Sequence, residues 1–145
     1  MNIILKEVNS DNFDECIELE VSEKQKGFVA SNLYSIAQSK VLPGCKPLCI
    51  YDGEKMVGFA MYEIDTEDDD ISICRLMIDK KYQNKGYGRA AMIKLLKLIK
   101  ENYKYKEVYI STEPENHIAQ GLYESLGFKK NGQVLEGEVV SVLKF

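Results

Sequence analysis

The chain has 145 residues, a length that supports one hydrophobic core. Apolar residues make up 45% and charged residues 29%, the balance of a soluble globular protein, and no apolar run approaches the roughly 20 residues of a membrane-spanning helix. The net charge of −4 comes without a basic patch, which argues against a nucleic-acid binder; a mildly acidic surface instead suits a small cationic ligand.

Cys16, Cys45, Cys49 and Cys74 form no Cys-x-x-Cys pair, and His117 is the only histidine, so no metal site is expected. The thiols read as idle groups in a reducing compartment. Met1 to Lys6 has no basic stretch leading into an apolar one, so the expected location is cytoplasmic. Without a repeat or a Pro/Gly/Ser-rich linker, residues 1–145 are expected to form one domain.

Ile3 to Val8 reads as a first strand. Ser10 or Asp11 then caps a helix with Phe13, Cys16, Ile17 and Leu19 on one side. A second helix is expected over Val29 to Lys40, stopped by Pro43-Gly44. The period then becomes strand-like. Leu48–Tyr51 and Met56–Tyr62 flank Asp52-Gly53-Glu54-Lys55 as a hairpin, and a second hairpin runs through Asp65–Asp70 into Ile71–Ile78. The acidic run reads as a solvated hairpin tip. After a glycine loop, Ala91, Met92, Leu95, Leu96 and Ile99 recur at helical spacing, with Lys94, Lys97 and Lys100 opposite. A strand over Lys106–Ser111, a short helix from Asn116 to Ser125 ending at Gly127, and two strands around Gly132 and Gly137 complete the chain. The order β-α-α-β-β-β-α-β-α-β-β predicts an α/β (α+β) fold, a mixed sheet covered by helices.

The strongest local signal is a strand, then Gln83-Asn84-Lys85-Gly86-Tyr87-Gly88, then a long amphipathic helix. Amides at a helix start lack partners and carry partial positive charge, and glycines let a phosphate come close to the backbone. The alternative is a turn that only joins strand to helix. A Walker loop would need Gly-Lys-Ser/Thr where Gly88-Arg89-Ala90 stands. A dinucleotide fold would need a βαβ unit where a meander of strands stands.

The stretch Arg75 to Asp79 followed by Gln83 to Arg89 resembles the acetyl-CoA motif of the GNAT superfamily, the Gcn5-related N-acetyltransferases. Glu115-Asn116, Ala119, Leu122-Tyr123 and Leu126-Gly127-Phe128 are similar to that family's second motif. The resemblance implies a mostly antiparallel twisted sheet of about seven strands flanked by four helices, splayed between the fourth and fifth strands. It implies acetyl-CoA as co-substrate. Backbone groups of Leu76, Met77 and Ile78 would pair with the pantetheine arm. Amides of Gln83, Asn84, Lys85, Gly86, Tyr87, Gly88 and Arg89 would hold the pyrophosphate, and Asn116 would line the far side. Tyr123 matches the family's general acid, which protonates the departing thiolate; the alternative makes it a packing residue.

The attacking amine must also lose a proton. Glu63, Asp79 and Glu113 are candidates for that base, Glu113 standing nearest the expected splay, and each also reads as a surface charge. His117 is assigned no catalytic role. Glu20 to Asn32, with Arg75 to Asp79 and Gly137 to Val140, resembles the bacterial spermine/spermidine acetyltransferase branch. That resemblance makes Glu20, Glu23 and Phe28 candidates for a polyamine groove. Other small amines, a protein N-terminus, or a non-catalytic acyl-CoA sensor stay open as alternatives. The family's habit of pairing through sheet edges makes a homodimer an open expectation; neither nucleic acid nor membrane is expected as a partner.

Overall fold

A computed structural model describes residues 1–145. The apolar alternation of the first residues gives β1 (Ile3–Glu7). Asn9 and Asn12 then close a turn on themselves: the Asn9 amide donates to Asn12 Oδ1 at 2.8 Å, and Asn12 Nδ2 donates to the Glu7 carbonyl at 3.0 Å. That turn moves the start of α1 (Phe13–Glu18) past the expected caps Ser10 and Asp11. A single 3-10 turn at Glu23–Gln25 comes next. Helix α2 spans Asn32–Val41 and starts later than expected from Val29, because Ser31 is the residue able to cap it. The Ser31 hydroxyl accepts from the Tyr34 amide at 3.1 Å.

Three strands then form a meander: β2 (Cys45–Asp52), β3 (Lys55–Asp65) and β4 (Asp70–Ile78). After a 3-10 turn at Lys80–Tyr82 come α3 (Tyr87–Asn102), β5 (Glu107–Thr112), α4 (His117–Ser125), β6 (Lys129–Leu135) and β7 (Glu138–Lys144). The element order is the one the sequence predicts. The strands form one seven-stranded sheet in the order β1-β2-β3-β4-β5-β7-β6. All pairings are antiparallel except β4 with β5.

Helices α3 and α4 cover one face. Met92, Leu95 and Ile99 of α3 pack there against Val57, Ile73 and Val108. Helices α1 and α2 pack over β2 and β3 on the other face, where Cys16, Phe59, Met61 and Met77 form a second cluster. Gly58 shows how tightly the sheet is built. A Cβ there would lie 2.4 Å from the Met77 carbonyl oxygen and 2.9 Å from Ile78 Cδ1. Gly58→Ala is therefore expected to destabilise the fold by about 3 kcal/mol, read as a lower denaturant midpoint with an unchanged slope.

Candidate active site

The site is built around one irregular strand. Along β3, Met61 faces Arg75 but Tyr62 faces Ile73, so Cys74 is an extra residue on β4. The Cys74 thiol donates to the Met61 carbonyl at 3.4 Å. Such a bulge bends the strand and re-aims the side chains beyond it. β4 and β5 pair at only two positions, Ser72 with Tyr109 and Ile73 with Ile110. Beyond them the strands diverge. The backbone edge of Leu76, Met77 and Ile78 is left without a strand partner toward β5, and the expected splay between the fourth and fifth strands is present.

The glycine loop closes one end of this gap. Gly86 stands at the N-cap of α3 with φ 87°, and no side chain caps the helix. Its first amides therefore remain free. Asn84 also adopts a positive φ of 62°, a left-handed conformation that asparagine tolerates better than most side chains. The Gln83 side-chain amide donates to the Ile78 carbonyl at 2.9 Å and to Gln25 Oε1 at 2.7 Å. Tyr87 is buried, and its hydroxyl donates to Asp52 Oδ2 at 2.7 Å, fixing the start of α3 to the β2–β3 turn. Lys85 is exposed, and the Arg89 guanidinium donates to Ser125 Oγ at 2.9 Å. An unpaired strand edge leading to free helix amides and unobstructed glycines suits a long thiol-bearing arm ending in a pyrophosphate.

The gap opens into a cavity of about 1280 Å³, lined by Leu76, Met77, Ile78, Gln83, Gly88, Asn116 and Tyr123 among others. That volume exceeds the roughly 300–1,000 Å³ of a single small-molecule site and has room for two substrates. Asn116 caps α4, its Oδ1 accepting from the Ala119 amide at 3.3 Å. Tyr123 is only 8% exposed and packs against Phe128, ring centroids 6.0 Å apart. Burial, helped by the charge of Glu138, pushes its phenol well above the ordinary tyrosine range. Cys74 also reaches the cavity, but burial pushes its thiol up to about 12, so it carries no thiolate at neutral pH.

Residues 66–69 form the exposed hairpin tip that the sequence predicts, and Asp65, Asp68 and Asp70 also border the cavity together with Glu63. From the other side come Glu113, Glu136 and Glu138. Glu138 is held by Ser111, whose hydroxyl donates to it at 2.7 Å. Against these seven carboxylates the only cationic lining residue is Arg75. Its guanidinium is already tied to Ser35 Oγ, Gln38 Oε1 and its neighbour's carbonyl at 2.9–3.2 Å.

Of the groove candidates, Phe28 lines the cavity and Glu20 and Glu23 do not. Glu20 pairs with Lys80 and Lys26, and Glu23 with Lys26 at 2.7 Å. The long-range partner Lys80 is what the local sequence could not disclose. Asp79 lies outside the lining as well. Its two oxygens accept from the Glu20 amide at 2.9 Å and the Lys81 amide at 3.1 Å, a fixed structural role. His117 is exposed at the start of α4. Glu138 was missed. Alternation after Gly137 puts it on the same strand face as Val140, but only the pairing of Ser111 with Val140 aims that face at the cavity.

A splayed sheet, a phosphate-ready helix start and an acid-lined chamber together define an acyl-CoA-dependent transferase acting on amines. The family model of the acetyltransferase (GNAT) family matches residues 13–128, and the chain belongs to that family. It is an acetyl-CoA-dependent N-acetyltransferase. A spermine/spermidine N(1)-acetyltransferase of Bacillus subtilis is 34% identical over 98% of this chain and 98% of its own length. Two solved structures share the fold. A spermidine N-acetyltransferase from Vibrio cholerae in complex with CoA and spermine superposes with TM-score 0.78 at 17% identity, covering 99% of this chain and 95% of its own. An aminoglycoside acetyltransferase in complex with coenzyme A superposes with TM-score 0.82 at 14% identity, over 99% and 95%.

Proposed function

We propose that the enzyme acetylates a primary amine of a linear polyamine of the spermidine/spermine type, by direct attack in a ternary complex. The carrying observation is the seven-carboxylate lining, unpaired with any protein cation, in the same cavity as Tyr123 and the glycine loop. A polycation gains from such a lining what a neutral acceptor cannot. The full-length likeness to the Bacillus subtilis polyamine enzyme agrees with this reading.

Acetyl-CoA supplies the acetyl group as an activated thioester. Amides from Gln83 to Arg89 hold its pyrophosphate, and the free edge of Leu76 to Ile78 orients the arm beside Asn116. The Tyr123 phenol keeps its proton at working pH and donates it to the sulfur as charge develops there. Glu138, oriented by Ser111, or Glu113 at the same end of the cavity, takes the proton of the attacking ammonium, directly or through one water. The protonated Cys74 thiol disfavours an acyl-enzyme route.

Release of CoA with acetyl-CoA plus spermidine, spermine, an aminoglycoside, amino acids and a peptide N-terminus tests the reading, with mass spectrometry of the product. Polyamines are expected to give the highest kcat/KM and a monoacetylated product. A higher kcat/KM for another acceptor class would replace the polyamine assignment. Binding of acetyl-CoA with no turnover of any amine would leave the sensor alternative.

A further inference from the structure

The β3–β4 hairpin and Tyr123 of α4 lie on opposite sides of the β4–β5 opening, yet both line the same cavity. Register explains how. Asp65 pairs with Asp70 and Glu63 with Ser72 across β3 and β4, so all four side chains share one face. Ser72 pairs with Tyr109 on β5, and Ser111, two residues further on, pairs with Val140 of β7. The same face therefore runs without a break from Asp65 and Asp70, across Ser72 and Tyr109, to Ser111 and Glu138. Helices α1 and α2 pack over β2 and β3 and leave this stretch open to the cavity.

Two features mark it as a ligand surface. Asp65 and Asp70 are like charges directly opposite on neighbouring strands, a destabilising arrangement, with Glu63 beside them. None of the three belongs to an ion pair, and all three are half-buried. Burial, with the charges of Asp65, Asp68, Glu63 and Asp69, holds the Asp70 carboxyl above its usual range. At the other end, Tyr123 is buried as a residue and lines the cavity, and its hydroxyl takes part in no hydrogen bond to the protein. Asp70 is level with Glu107 in the β4–β5 register, four residues before Ser111. Asp70 and Ser111, which holds Glu138, are thus about 13 Å apart along the strand. Tyr109 lies between them, its hydroxyl occupied by Glu107 at 2.6 Å, offering its ring to methylene groups.

We propose that Glu63, Asp65 and Asp70 form an anchoring site for the distal ammonium groups of the acceptor, selecting linear polycations long enough to reach Tyr123 with their other end. This rests on the polyamine reading and names the residues that set acceptor length. It moves the cationic groove from Glu20 and Glu23 to the opposite end of the acceptor face.

The test compares wild type with Glu63→Gln/Asp70→Asn, leaving Asp65 in place because its Oδ1 accepts the Glu67 and Asp68 amides that shape the turn. The double variant is expected to raise KM for spermidine and spermine about tenfold. The kcat at saturating polyamine and KM for acetyl-CoA should stay within about twofold, and kcat/KM for a short diamine should be equally unaffected. The rise of spermine KM with added salt should be shallower in the variant. An unchanged polyamine KM, or an equal loss for the short diamine, overturns the anchor. If wild type acetylates no polyamine, the function reading fails on its own. Calorimetric binding of spermine then decides the anchor: tight binding by wild type, weakened in the double variant, sustains it, and equal binding by both removes it.

Discussion

Tyr123→Phe is expected to lower kcat about a hundredfold while changing KM for acetyl-CoA by less than about twofold. The split stems from where the side chain sits. Phenylalanine keeps the ring against Phe128 within the core that α3 and α4 share with the sheet. The lost hydroxyl had no protein partner, so nothing is left unsatisfied. Thermal stability should accordingly hold at neutral pH, which separates a proton-donating role from a packing role. The pH dependence has a definite sign. Burial first, and the Glu138 charge second, raise the phenol above its ordinary value, so it stays protonated through the working range. Wild-type kcat should rise with pH as the amine's proton becomes removable, then level off without an alkaline fall from phenol ionisation. Because the folded value is raised, the associated stability is present below about pH 10, the unfolded value, and is lost as pH climbs through the folded one. Wild-type turnover in the phenylalanine variant would remove Tyr123 from the mechanism.

Gly86→Val carries the second large effect, about a hundredfold in KM and Kd for acetyl-CoA. Gly86 has φ 87°, where a β-branched residue is strained, and it is the N-cap from which α3 starts. Relief of that strain would turn the first amides of α3 away from their common focus. The neighbouring glycine makes the control. A Cβ on Gly88 would meet Leu122 Cδ2 at 3.6 Å and Ile78 Cγ1 at 3.9 Å, ordinary contacts, so Gly88→Ala should fold as wild type and lose at most about fivefold in cofactor affinity. Isothermal titration with CoA reads both variants, and a Gly86→Val protein that binds normally would take the loop out of cofactor recognition.

These expectations draw on parts of the molecule that the sequence disclosed unequally. The element order and the placement of the glycine loop and Tyr123 at one cavity were legible because each is written locally: apolar period, turn residues, and a motif within a few dozen positions. Even the misplaced helix starts were local matters, decided by Ser31 and by the Asn9–Asn12 turn. The charged groups were another matter. Asp65–Asp70 read correctly as a hairpin with an exposed tip, but nothing nearby indicates that β4 will pair with β5 through Ser72 and Tyr109 and so bring it to the cavity. Glu20 looked available because Lys80 lies sixty residues away in the chain. Glu138 was missed for the same reason, since its orientation depends on Ser111 across a strand pair. Charge chemistry in this protein is set by register, and register is a long-range property.

The two paired positions that join β4 to β5 also bear on how long the molecule lasts. They leave the sheet as two ribbons, β1 to β4 and β5 to β6, held together by few main-chain bonds and by the helices behind them. A donor seated in that opening engages the assembled chain and not the unfolded one, so its concentration adds directly to resistance against unfolding. Thermal melts with and without acetyl-CoA are therefore expected to show a midpoint that climbs with the logarithm of its concentration.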